Sequence, residues 1–505
     1  MENTLPYRHD SPAEKAEIPS KFIADLGQKL KRWGVESTGI QPIPVEERTD
    51  TQYHKLFFFW FTANVNILSF SAGALAPVFG LGLRDACLVI LFFNLVCTAF
   101  PAYLSTWGPK LGLRQMVQAR YSFGFHGVML PCVMNLIGIT GFCILNCILG
   151  GQTLSSVADG RLTWTVGIVV TAVISLLLSF CGYRVLGWYE KVAWLPVLIV
   201  FLVALGVNGG HLSLPQVVES PPAASVLSFG ASIAGFVMSW SGMASDFATY
   251  FHPKVSSWRI FAYTYFGLLL PTVKAFLPRE RYSQLISLQV TLQCLGVACT
   301  ITASSIPAWE QGLRDGNVGG LVAVMLQPTG KFGQFLTVLL ALSVTGNIAV
   351  SMYAFCLNFQ VFVPVLAAVP RYVFSLVVTA IVIPLAIVGS HRFNNTLANF
   401  LGLLGYWSGA FAAVMTIEHL IFRRHAPNNY NTEDWNSPSR LPIGAAALFA
   451  GLVAFGIAVI CMDQVWFVGP AAKVTGDIGF EVAIVTAGLL YAAARALEVR
   501  KWGHV

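Results

Sequence analysis

The sequence predicts an all-α polytopic membrane protein: two five-helix inverted repeats followed by two further helices, twelve transmembrane segments in all. Three observations carry this. Of 505 residues, 55% are hydrophobic and only 11% charged, against ~25% charged in soluble domains, and apolar runs continue from Phe57 to Leu497. Second, the stretch 57–83 (FFFWFTANVNILSFSAGALAPVFGLGL) exceeds the ~20 residues a membrane helix needs, yet holds Asn64, Asn66, Ser69, Ser71, Gly73 and Pro77. Hydrocarbon offers backbone groups no partner, so such residues at mid-membrane mark a helix broken around a cavity. Third, 225–250 carries Gly235 and then Trp240-Ser241-Gly242, with four segments between the two. That is the offset of two repeats that each open with a broken helix. Gly and Ser also serve close helix packing, a use that does not ask for a pair at this spacing.

The elements follow in order. Residues 1–54 are a polar N-tail with seven Lys/Arg, without the apolar core of a cleavable signal peptide. Segment 1 is expected at about 56–80, segment 2 at 86–107, then a basic loop 109–124 and segment 3 to about 154. Segments 4, 5 and 6 fall near 162–182, 188–208 and 224–250. Segments 8, 9 and 10 fall near 333–362, 371–390 and 396–421. A polar linker, 422–440, precedes segments 11 and 12 near 441–462 and 478–498, and 499–505 is a short C-tail. The first repeat is thus 55–208 and the second 224–421.

Orientation follows from Lys and Arg, which concentrate in cytoplasmic loops. With the N-tail inside, the inner loops hold eleven (Lys110, Arg114, Arg120 and Arg423 among them) and the outer loops six. Both tails are therefore expected in the cytoplasm. Because these charges sit in short loops, the net charge of +7 does not point to nucleic acid; the expected partners are the lipid bilayer and a small molecule. The ten cysteines lie in or beside apolar runs and read as packing residues. No four-ligand metal set, nucleophile–base pair or nucleotide loop stands out, so no enzyme chemistry and no cofactor are expected.

Segment 7 breaks the pattern. Residues 260–273 and 294–306 each read as half a membrane helix, and joined they would span. Between them, 274–293 carries Lys274, Arg279, Glu280 and Arg281, each costing roughly 2.5–3.5 kcal/mol at the bilayer centre. We expect 274–293 to be absent from the working protein: its sixty nucleotides have the length of a short intron read through in frame.

Several runs together resemble one family, the nucleobase–cation symporters of family 1, in their fungal purine-cytosine permease branch. They are NILSFSAGAL with PVFGLGLRD, PKLGLRQMVQARYSFG, NLIGITGFCILNCILGGQTL, GYRVLGWYEKVAWLP, SWSGMASDFATYFHP with FAYTYFG, and IPAWEQG. The resemblance covers about 45–420. It implies a LeuT-like five-plus-five core, a substrate held between segments 1, 3, 6 and 8, and a place in the plasma membrane.

The site residues follow from that resemblance. In segment 1 the family's polar contact falls on Ser69, or on Ser71 if the register slips; either hydroxyl has its own helix as an alternative partner. The stacking tryptophan of segment 6 matches Trp240, since a flat ring binds well on an indole. Segment 3 offers Phe142 where the family has Trp, and Asn146 one turn on, on the same face. Asn146 has both a donor and an acceptor for a base edge, or for another helix. Segment 8 departs most: Asn-Asn-x-Pro-Asn becomes Asn347-Ile348-Ala349-Val350-Ser351, which keeps the first amide and turns the last into a hydroxyl. This opens the substrate to another small heterocycle (pyridoxine, uracil, allantoin or thiamine). For the coupling ion the candidates are the acids Glu190 and Asp246. Of the hydroxyls that ligate sodium in relatives, segment 8 keeps only Thr345, which favours protons. The rival class is a non-transporting nutrient sensor, for which the tails offer no recognisable module.

Overall fold

The computed structural model describes residues 39–158, 161–180, 189, 191–212, 220–269 and 288–503. The described residues are helical, with one two-stranded ribbon among them, Asp463–Gln464 against Phe467–Val468. Among the described residues seven helices are long and apolar enough to cross a membrane, or nine if each sharply bent pair counts as one span. The apolar helices Trp164–Phe180 and Ala445–Cys461 are shorter, at 17 residues each.

Segment 1 is broken, as its composition required. Tyr53–Asn64 and the run from Ile67 to Phe79 meet at 54°. The break falls at Val65–Asn66, ahead of Gly73 and Pro77. Asn66 caps the second half: its side-chain oxygen accepts from the Leu68 and Ser69 amides at 2.9 and 3.2 Å. A helix start inside the bundle exposes N–H groups that water cannot reach, and the Asn oxygen satisfies them. Gly73 serves packing instead, since a Cβ there would lie 1.8 Å from the Gln293 carbonyl oxygen.

Segment 6 breaks later and differently. Ala223–Met238 ends in two 3-10 turns, Ser239–Gly242 and Ala244–Phe247, with Met243 at φ −143° between them. Gly235 lies within the helix, where a Cβ would come 1.8 Å from the Leu401 carbonyl oxygen of segment 10. Small residues here let backbones touch, as membrane helices require when no hydrophobic effect drives them together.

Segment 7 appears as two helices, Ser257–Leu269 and Leu288–Ala303. Of the expected insert 274–293, residues 274–287 lie outside the described residues. Its last six do not behave as an insert. They open the second helix, where Leu292 and Gln293 are buried and Gln293 accepts a 2.8 Å hydrogen bond from Asn94. A helix unannounced by the sequence, Pro307–Leu326, follows; it kinks at Gly316 and Asn317. Segment 8 comprises Lys331–Leu342 and Val344–Phe362.

Segments 9 and 10 are Arg371–Gly389 and Phe393–Ile417, the latter ending in a π turn, Glu418–Phe422. Gly479–Trp502 is segment 12. The fully buried Glu418 ties these parts together. It accepts from Arg423 Nε at 2.9 Å, Tyr491 Oη at 2.7 Å and Arg495 Nε at 3.3 Å. A buried charge is tolerable only when paired and hydrogen-bonded in this way.

At the N-tail end of the bundle the basic stretch 109–124, expected as a loop, is largely a buried helix, Gln115–Phe123. Arg114 and Arg120 are both buried. Burial pushes the Arg120 guanidinium down to about 10, so it stays charged at neutral pH. It donates to the Trp435 carbonyl and to Asn436 Oδ1, both at 3.0 Å, which fastens the linker to this stretch. Arg48 donates to the Pro109 carbonyl at 3.0 Å, and Asp50 pairs with Phe251 in a single parallel bridge.

Candidate substrate site

Both breaks face the middle of segments 3 and 8, and side chains from all four converge there. Trp240, in the first turn after the helix of segment 6, is buried and donates its indole N–H to Asn64 Oδ1 at 3.1 Å. Trp60, one helical turn before Asn64, meets the Trp240 ring edge-on, centroids 5.4 Å apart at 78°. Beside the break, Asn347 Nδ2 donates to the Ala63 carbonyl at 2.7 Å. Its Oδ1 in turn accepts from Asn146 Nδ2 at 2.9 Å. A continuous polar path therefore runs from segment 3 through segment 8 to segment 1 and on to the Trp240 indole.

Asn146 is the open end of this path. Its amide nitrogen also donates to the Phe142 carbonyl at 2.9 Å, so both N–H groups are used. Its Oδ1 is buried and has no hydrogen-bond partner among the described residues. An unpaired buried acceptor costs about 1–3 kcal/mol, which a ligand N–H arriving at that point recovers. The Ser241 hydroxyl, next to Trp240, is buried and unpaired in the same sense. Phe142 is half-buried; its ring stands edge-on to Phe236 at 6.1 Å and to Phe400 at 5.4 Å.

The remaining expected residues sort by what they touch. Ser69 donates across the break to the Asn64 carbonyl. Ser71 donates back to Ile67 in its own helix at 2.9 Å. Ser351 is buried in segment 8, one helical turn beyond Asn347. Thr345 donates to the Leu342 carbonyl at 2.7 Å and lies 3.0 Å from the Tyr189 hydroxyl. Asp246 sits six residues beyond Trp240, toward the N-tail end, and accepts from the Gln115 amide at 2.7 Å. Glu190 lies outside the described residues.

Comparison with known proteins places this arrangement. The family model described as permeases for cytosine/purines, uracil, thiamine and allantoin matches residues 42–482. The chain belongs to that family. It is 34% identical to the purine-cytosine permease fcyB of Emericella nidulans, over 98% of this chain and 94% of fcyB. It is also 34% identical to the purine-cytosine permease FCY21 of Saccharomyces cerevisiae, over 97% of this chain and 91% of FCY21. Among solved structures it resembles MHP1, a nucleobase-cation-symport-1 family transporter in a closed conformation with bromovinylhydantoin bound. The TM-score is 0.68 at 14% identity, over 92% of this chain and 96% of MHP1. The permease thus has the LeuT-like fold expected of it, and it is a transporter, not an enzyme.

Sequence reasoning singled out Asn64 only as a polar residue in an apolar run, and missed its partnership with Trp240. Asn135 was missed outright: it donates to the Gly242 carbonyl at 3.1 Å and anchors the segment 6 break on segment 3. A buried Asn in a membrane helix needs a partner, so each Asn could have been asked for one. The partner itself was beyond reach, since it lies over a hundred residues away.

Proposed function

We propose that the permease is a secondary active transporter that takes up cytosine and purine bases by alternating access, coupled to protons. The observation that carries the substrate class is the buried, unpaired Asn146 Oδ1 at the end of the Asn146–Asn347–Ala63 path. It calls for a ring N–H or amino group, and the Trp240 and Phe142 rings suit a flat ligand. The names of the purine-cytosine relatives agree with such a ligand. The Lys/Arg bias supports cytoplasmic tails, and kinship with the purine-cytosine permeases supports a place in the plasma membrane.

Proton coupling rests on Thr345 and the acids. Of the segment 8 hydroxyls that ligate sodium in relatives only Thr345 remains, bonded to the Leu342 carbonyl and beside the Tyr189 hydroxyl, and this loss favours a site without sodium. Asp246 and Glu190 are the acids proposed to carry the proton.

A second substrate reading has its own observation. Both groups of the Asn347 side chain are engaged within the protein, and the amide of the purine-cytosine pattern is Ser351. A single open acceptor also suits uracil or allantoin, which the family description includes. Uptake of labelled cytosine in a cell without its own carriers, in competition with purines, pyrimidines, allantoin and B vitamins, tests this. Cytosine and adenine should compete best. Accumulation of none of the panel would refute transport and leave the sensor reading.

A further inference from the structure

We infer that Asn64 is the positioning residue for the substrate-stacking indole and locks the break of segment 1 to the break of segment 6. This rests on the Trp240 stacking role proposed above. Asn64 is the last residue of the helix Tyr53–Asn64, and it is buried. Each polar group it offers beyond the helix has a partner. Its Oδ1 accepts from the Trp240 indole at 3.1 Å. Its Nδ2 donates to the Trp60 carbonyl at 2.8 Å, and its own carbonyl accepts from Ser69.

Three consequences follow from that bonding. The amide plane is fixed by the Nδ2 bond to its own helix, so Oδ1 has one direction in which to hold the indole. The indole N–H is spent on Asn64, so Trp240 offers a ligand its ring face and no donor. With Trp60 set edge-on against it, the indole has a fixed azimuth about its own side-chain bonds. Selectivity by hydrogen bonding then belongs to segments 3 and 8, while orientation of the ring plane belongs to segments 1 and 6. Ser69, expected to touch substrate, acts through the Asn64 carbonyl at the same joint.

The test is a double-mutant cycle on equilibrium binding and uptake of labelled cytosine. The variants are Asn64→Ala, Trp240→Phe and the pair. Asn64→Ala leaves the indole N–H unpaired and the ring free to turn, and should weaken binding roughly tenfold. Trp240→Phe keeps a flat ring without the N–H, and should cost a similar factor. If Asn64 acts through the indole, the double variant is no weaker than the weaker single one. A product of the two factors, roughly a hundredfold, would overturn the inference, as would an Asn64→Ala protein that binds as tightly as the parent. Binding is read on membranes, so a variant held back from the cell surface still reports. Asn64→Leu keeps the volume without the acceptor and should bind as weakly as Asn64→Ala; a role in bulk packing alone would leave Asn64→Leu close to the parent. A parent protein that ignores cytosine would refute the substrate reading instead, and the cycle would then be run on the ring it does carry.

Discussion

Removing residues 270–287, so that Leu269 is joined to Leu288, is expected to yield a chain that folds and transports. Segment 2 runs antiparallel to segment 7 and meets both of its helices: Ser105 bonds to Thr264 at 3.0 Å, and Asn94 bonds to Gln293 at 2.8 Å. Ser105 and Asn94 are 11 residues apart on their helix, whereas Thr264 and Gln293 are 29 apart in sequence. The excess is 18 residues, the length of 270–287. The helices Ser257–Leu269 and Leu288–Ala303 have 13 and 16 residues, roughly 20 and 24 Å long at 1.5 Å per residue. Neither reaches across ~30 Å of hydrocarbon, and end to end they do. Lys274, Arg279, Glu280 and Arg281, held at mid-bilayer, would together cost roughly 10–14 kcal/mol at 2.5–3.5 kcal/mol each. The shortened chain should therefore reach the cell surface and take up substrate, while the 505-residue chain is retained in the endoplasmic reticulum or inactive. Removing 274–293 instead deletes Gln293, the partner of Asn94, and should do worse than removing 270–287. Uptake and surface fluorescence of the three chains decide this, along with sequencing of the mature message. A message that encodes 270–287, together with full activity of the long chain, would refute the reasoning.

Three shorter predictions follow from the site and its supports. Trp240→Ala should lose a stacking contact worth about 1–3 kcal/mol, weakening uptake roughly 5- to 150-fold at unchanged surface level, whereas Phe142→Trp should be tolerated; unchanged affinity in Trp240→Ala would remove the indole from the site. Uptake should rise in acidic medium, collapse with a protonophore and ignore removal of sodium; a strict sodium requirement would overturn proton coupling. Gly73→Ala should abolish surface expression, because its Cβ would sit 1.8 Å from the Gln293 carbonyl oxygen and two rigid helices would have to part; a surface-expressed, active variant would show that segments 1 and 7 do not cross there.

The sequence by itself determined the class, the repeat and the four helices that build the candidate site. Hydrocarbon leaves backbone groups no partner but the protein, so membrane helices, and breaks in them, announce themselves locally: polar residues at 64–71 and 239–242 were visible as interruptions of apolar runs. Family motifs carried Trp240, Asn146 and Asn347 to their positions. Tertiary structure alone decided which bonds these residues make. Asn146 and Asn347 spend three of their four polar side-chain groups on the protein, Asn64 takes the indole N–H, and Ser71 turns back on its own helix. It also decided that Gln293 belongs to the core, because only the partner Asn94, 199 residues away, distinguishes it from the charged stretch before it. Local chemistry says that a buried polar group needs a partner; which partner is a property of how distant helices cross.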